Sequence, residues 1–197
     1  MIIGLTGGIA CGKTTARDIM LRYCPMAFFD ADTTAKEILA DPTNQEAIKT
    51  ALGKEAVTEE NKPNIEFIRE TIFSNDKAKV ALQQIIHPMV IAKYKELIEA
   101  AKKTNTNLLL DIPLLFETGA DKDCDAVVVV TCKQTTQIKR IKERGHTRAL
   151  ALKMINSQMP LSEKEAKGTH IISNNASLKR LDSQIRKIQK TLKLKQK

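Results

Sequence analysis

Between a short apolar run, residues 2–6, and a helical pattern opening at Lys13 stands Gly7-Gly8-Ile9-Ala10-Cys11-Gly12-Lys13-Thr14. Every fixed position of G-x-x-x-x-G-K-[ST] is filled, in the strand-before, helix-after context that this loop requires. Glycines permit a tight turn whose main-chain N–H groups point at phosphate oxygens. The helix that follows adds its positive end. Gly8, Ile9, Ala10, Cys11, Gly12, Lys13, Thr14 and Thr15 are therefore expected to hold the phosphates of ATP. Lys13 reaches the β- and γ-phosphates and the Thr14 hydroxyl ligates Mg²⁺.

Further apolar runs at 26–29, 107–112 and 126–131, and a last short segment at 169–172, read as strands. In 107–112 and 126–131 the character is continuous rather than alternating, the mark of parallel strands covered on both faces. Helical patterns occupy 13–23, 134–144 and 147–158. From 33 to 103 no strand is evident, and the helical pieces there are separated by Asp41-Pro42, Gly53, Asn61-Lys62-Pro63 and His87-Pro88. The order predicts an α/β chain of P-loop NTPase type: an open, parallel five-stranded sheet with helices on both faces and a helical insertion. Ligands in such sheets gather beyond the carboxyl ends of the strands, where Gly7, Asp30, Asp32, Asp111 and Thr131 fall.

At 197 residues the chain suits one domain, or one core with insertions. No run of about 18 apolar residues is present and the start, MIIGLTGG, is not a signal peptide, so cytoplasmic residence without membrane association is expected. The spacings of Cys11, Cys24, Cys124 and Cys132 match no zinc pattern, and free thiols are expected. Cys11 lies where a helix N-terminus lowers a thiol pKa; the alternative is a small residue that merely fits the loop. Of the net charge of +9, the segment 178–197 contributes +7 (eight Lys/Arg, one acid), leaving 9 − 7 = +2 elsewhere. There Leu178, Leu181, Ile185, Ile188 and Leu192 recur at helical steps, predicting a docked amphipathic helix with a solvated basic face. Aromatic residues make up 4% of the chain and Trp is absent, leaving little for bases to stack on, so no nucleic-acid partner is expected.

The remaining candidates each carry two readings. Asp32 is either the base that accepts a hydroxyl proton, opposite the phosphate loop if the first two strands are neighbours, or an N-cap for a helix starting near Thr34. Asp111 either holds Mg²⁺ through water or is a turn carboxylate before Pro113. Arg140 and Arg144 either close over the phosphates or form a solvated face. His87 is a capping or acceptor-binding group. Asn61-Lys62-Pro63-Asn64 resembles a guanine-reading motif but ends in Asn and follows no strand, which sets a GTPase aside.

Together GLTGGIACGKTT (4–15), DADTTAKEI (30–38), IHP (86–88), PLLFE (113–117), SQMPLSEK (157–164) and IISNNAS (171–177) resemble the dephospho-CoA kinase family over residues 3–181. The resemblance implies a nucleotide core (1–32, 107–144 and 168–197), a helical CoA-binding insertion (33–106) and a lid (145–167). It implies ATP-dependent phosphorylation of the ribose 3′-hydroxyl of dephospho-CoA, by a monomer or weak homo-oligomer. It makes Asp32, Lys13 and Arg140 catalytic and puts Asn174 and Asn175 beside the adenine. His87, Pro113, Leu114 and Glu117 fall near the acceptor, and Arg144, Lys153, Gln158 and Lys164 in the lid. The chain departs from the family at Ala10-Cys11, where Gly-Ser is usual, at Ser173 and Ala176, and at Lys153, where an Arg is common. The competing readings are a kinase for another small alcohol or nucleotide, and a nucleic-acid-binding ATPase that uses the basic tail.

Overall fold

A computed structural model describes residues 1–194; Lys195 and Lys197 of the basic tail lie outside the described residues. The strands are β1 (Ile2–Gly7), β2 (Ala27–Asp30), β3 (Leu108–Asp111), β4 (Ala126–Thr131) and β5 (His170–Ser173), forming one sheet in the order β2-β3-β1-β4-β5. β1 pairs in parallel with β3 and with β4, and β4 with β5. Position in the sheet follows composition. β1, β3 and β4 are buried at every residue, as uninterrupted apolar runs demand, whereas β2 and β5 keep half-buried or exposed positions and form the edges. The first two strands are therefore not neighbours. The Leu-Leu-Leu-Asp run of β3 needs cover on both sides and takes the place between them. At Gly7 a Cβ would stand 2.3 Å from the Val130 carbonyl oxygen, so only glycine lets β1 run this close to β4 up to the loop.

The helices are α1 (Lys13–Tyr23), α2 (Ala31–Ala40), α3 (Gln45–Leu52), α4 (Ile65–Ser74), α5 (Asp76–Lys103), α6 (Gln134–Glu143), α7 (Arg148–Asn156), α8 (Leu161–Lys167) and α9 (Leu178–Thr191). The chain divides into two compact units, residues 1–29 with 98–197, and residues 30–97. In the first unit Ile3, Leu5, Met20, Leu109, Val128, Val130 and Ile172 pack with Leu181 and Ile185 of α9. α9 docks as its periodicity predicts, except that Leu178 is 67% exposed: it opens the helix and lies beyond the buried stripe. Gln189 replaces an apolar residue within that stripe and donates to the Met20 carbonyl at 2.8 Å, answering a buried polar group across two helices.

The second unit has its own core of Ile48, Leu52, Ala56, Val57, Ile68 and Ala78. α2 begins at Ala31, not near Thr34, and its N-cap is Asp30, whose carboxylate accepts from the Thr33 N–H at 2.9 Å. Asn64 caps α4, so the last residue of Asn61-Lys62-Pro63-Asn64 starts a helix. The break expected at His87-Pro88 does not occur; both residues lie inside α5. Proline removes one N–H from a 28-residue helix, and the buried anchors Ile86, Tyr94 and Ile98 on either side outweigh that loss. Among the described residues no helix is long and apolar enough to cross a membrane.

Candidate active site

The phosphate loop bends through two left-handed residues, Ala10 (φ 58°) and Gly12 (φ 92°), on either side of Cys11. Three of its carbonyls are each taken by a side chain from elsewhere, while those of Gly8 and Gly12 accept the main-chain N–H groups of Cys11 and Ala16. Gln137 Nε2 donates to the Ile9 carbonyl at 2.8 Å, Arg140 Nη1 to Ala10 at 3.0 Å, and Asn174 Nδ2 to Cys11 at 2.8 Å. Arg140 Nη2 also donates to the Asn174 carbonyl at 3.2 Å, joining two of these braces. An anion-binding loop must keep its carbonyl oxygens away from the anion, and these three bonds engage the Ile9, Ala10 and Cys11 carbonyls. At Gly12 a Cβ would stand 2.2 Å from Asn174 Nδ2, so the brace itself requires glycine there. The Ile9 N–H donates to Gln158 Oε1 at 3.1 Å, tying the loop to the segment between α7 and α8.

Lys13 opens α1 and its Nζ is ion-paired with Asp111 Oδ1 at the end of β3. Asp111 is wholly buried, and a second cation, Arg17, approaches its other oxygen at 3.5 Å. A buried carboxylate needs such compensation. Arg17 also stacks over Phe28, with 5.2 Å to the ring centroid. Sequence reasoning passed over Arg17, although its spacing of four from Lys13 places both on one face of α1. Thr14 and Thr15 are exposed in the first turn. A hydroxyl and one carboxylate suit Mg²⁺, which keeps most of its waters, so Thr14 and Asp111 fit that ion. Among the described residues no cluster of three His, Cys, Asp or Glu forms a protein-only metal cage.

The segment after β3 and the expected lid are fastened together. Lys164 of α8 is fully buried; its Nζ donates to the Pro113 carbonyl at 2.8 Å and pairs with Glu117 Oε1 at 2.8 Å. Glu117 also accepts from the Met159 N–H at 3.0 Å, and Thr6 Oγ1 donates to Pro113 at 2.9 Å. Lys164, Pro113 and Glu117 thus make internal contacts that set the position of α8, and Leu114 accepts from Thr118 in the same turn. Arg144 lies just past α6 and Lys153 on α7, both exposed. Asn175 accepts from the Lys133 N–H at 2.7 Å, while the buried Asn174 amide is engaged by the loop. Asp32, exposed in the first turn of α2, and His87, half-buried within α5, belong to the second unit.

All four cysteines are free thiols. The Cys11 pKa is raised, not lowered: the Cys132 sulfur lies 3.4 Å away and shares a proton with it, and burial adds to the rise. The same contact lowers Cys132, helped by the Arg140 guanidinium.

A family model described as "CoaE: Dephospho-CoA kinase" matches residues 1–180. A dephospho-CoA kinase of Fusobacterium nucleatum subsp. nucleatum is 38% identical over 193 residues, covering 98% of each chain. Among solved structures, the dephospho-CoA kinase of Campylobacter jejuni superimposes with a TM-score of 0.73 at 28% identity, over 97% of this chain and 96% of its own. A Thermus thermophilus protein superimposes with a TM-score of 0.79 at 27% identity, over 98% and 97%.

Proposed function

The chain belongs to the dephospho-CoA kinase family, and on that premise we propose how its residues divide the transfer of the γ-phosphate of ATP to the ribose 3′-hydroxyl of dephospho-CoA. ATP seats its phosphates on residues 8–15. The observation that carries this reading is the loop whose Ile9, Ala10 and Cys11 carbonyls are each taken by a side chain while Lys13 rests on Asp111. Phosphate oxygens compete for Lys13, and Arg17 stays to compensate Asp111. Thr14 and Asp111 would hold Mg²⁺, which supplies positive charge to the β- and γ-phosphate oxygens when bound.

Asp32 accepts the proton of the acceptor hydroxyl as the new P–O bond forms. Two facts support this role over capping: Asp30 already caps α2, and Asp32 is an exposed carboxylate in the first turn of the helix at the match to DADTTAKEI. Arg140 acts from behind the loop, holding Ala10 and Asn174 in place; its charge favours phosphate across that backbone. Of the adenine-side pair Asn174 and Asn175, Asn175 is the exposed member and Asn174 the buried one behind the loop. The unit 30–97 corresponds to the CoA-binding insertion, with His87 its candidate acceptor contact. Residues 145–167 act as the lid: Arg144 and Lys153 bring exposed charge, and closure excludes water that would otherwise take the phosphoryl group. One chain carries all of these groups, so a monomer or weak homo-oligomer in the cytoplasm suffices.

Asp32→Ala is the test of the division of roles. Turnover is expected to fall by about a hundredfold or more with ATP affinity largely kept, because only the proton acceptor is removed. Turnover within a few-fold of the parent contradicts the base assignment.

A further inference from the structure

Two thiols face each other where the phosphate loop meets the end of β4, and the transfer reaction uses neither. Cys11 is the residue before Gly12, and Cys132 directly follows β4; their sulfurs are 3.4 Å apart in the core of the first unit. A disulfide needs about 2.05 Å between sulfurs, so a closure of about 1.4 Å joins them. Their access to solvent differs. Cys11 is fully buried, whereas Cys132, 5% exposed, lines a cleft of about 640 Å³ with Gly8, Gln137, Gln158 and Glu165. Cys11 is not part of that lining, which makes Cys132 the member of the pair on the cleft side.

We propose that Cys11 and Cys132 are a peroxide-responsive dithiol, converted by hydrogen peroxide to a disulfide that locks the phosphate loop against the end of β4. The Cys132 thiolate attacks one peroxide oxygen; the O–O bond breaks, and hydroxide leaves and is protonated to water. The sulfur is now a sulfenic acid. The Cys11 sulfur attacks it, the S–O bond breaks, and the Cys11 proton leaves with the hydroxyl as a second water. Two thiols and one peroxide give one disulfide and two waters, the sulfurs losing the two electrons that the peroxide gains. The charge state of the pair agrees with this order, since the accessible thiol is the one whose ionisation is favoured. The other two thiols are suppressed: burial raises Cys24, and burial beside Asp123, Asp121 and Asp125 pushes Cys124 up to about 12.

The loop cannot absorb the closure freely. Cys11 lies between two left-handed residues, its carbonyl is held by Asn174, and its N–H donates to Gly8 at 3.1 Å. Drawing its sulfur toward Cys132 disturbs those bonds. Loss of activity on oxidation rests on the reading of this loop as the ATP site; formation of the bond does not.

The test exposes the full chain to graded hydrogen peroxide, alkylates the remaining thiols after denaturation, and reads intact mass and mapped peptides. A peptide pair joining Cys11 to Cys132 is expected, with Cys24 and Cys124 fully alkylated. ADP formation is expected to fall at least about tenfold and to return with dithiothreitol. Cys132→Ala should keep the parent's basal activity and lose the peroxide sensitivity. No cross-link, a cross-link through Cys24 or Cys124, or Cys132 oxidised without joining Cys11 would overturn the proposal. The mapping is read on the parent chain, so it decides the matter even where the variant folds poorly. A cross-link that leaves ADP formation intact overturns the locking step alone.

Discussion

Ala10 and Gly12 both have positive φ, yet only one of them is a glycine, and the neighbours explain the difference. A left-handed conformation costs a non-glycine residue about 1–2 kcal/mol. The Ala10 methyl recovers much of that cost, because it is buried against Ile141 and Ala151, and a buried methyl contributes about 0.8 kcal/mol. Gly12 has no such compensation: its missing Cβ is the space that Asn174 occupies. For Gly12→Ala the strain and the clash have the same sign. We expect a loss of at least about 2 kcal/mol in chemical denaturation and a weakened hold on ATP, measured by equilibrium binding. Unchanged ATP binding would show that the Asn174 brace does not shape the loop. The Gly-Lys-Thr pattern was legible in the sequence because its chemistry depends on residue type at fixed spacing. The braces Gln137, Arg140 and Asn174 come from distant segments and were not legible as such: Arg140 and Asn174 were read as ligand contacts, and Gln137 gave only the signal of a glutamine on a helix face that is buried.

At the level of elements, continuous apolar character marked β3 and β4, since a strand covered on both faces has no reason to alternate, whereas the edge strands β2 and β5 were read from short segments that keep half-buried or exposed positions. Helix ends were less legible. The capping reading at Asp32 was off by two residues because Asp30 competes for the same cap, and Pro88 was read as a break although tertiary anchors carry α5 through it. The buried Lys164 was invisible in the sequence: in Ser-Glu-Lys-Glu a lysine reads as solvated, and only the approach of α8 to the turn after β3 removes it from water. That burial makes the Glu117–Lys164 pair an energetic hinge between the two segments. Glu117→Ala leaves a fully buried ammonium with one carbonyl partner. Removing one member of a buried pair costs about 3–5 kcal/mol, and the lower end is expected because the Glu117 side chain is 22% exposed. Urea denaturation measures it, and a change below about 1 kcal/mol would show that α8 is held by other contacts.

At the scale of the whole molecule, an uneven charge overlies an ordinary α/β core. Of the +7 in segment 178–197, a net +4 (Lys179, Arg180, Arg186, Lys187 and Lys190 less Asp182) falls on α9, whose other face is spent on Leu181, Ile185 and Ile188, so that share accounts for the solvated side of a docked element. The division into a sheet unit and a helical unit follows the same logic as the sequence: strands stop where the helical stretch begins and resume after it. A nucleotide loop, a family match along nearly the full chain and an inserted helical unit all point to one acceptor. The most direct measurement follows ADP and coenzyme A together when the purified chain is given ATP, Mg²⁺ and dephospho-CoA, with nucleosides and shikimate as alternative acceptors. ADP release that depends on dephospho-CoA, matched mole for mole by coenzyme A, is the predicted result. ADP release that proceeds equally without dephospho-CoA, or that prefers another acceptor, would contradict it.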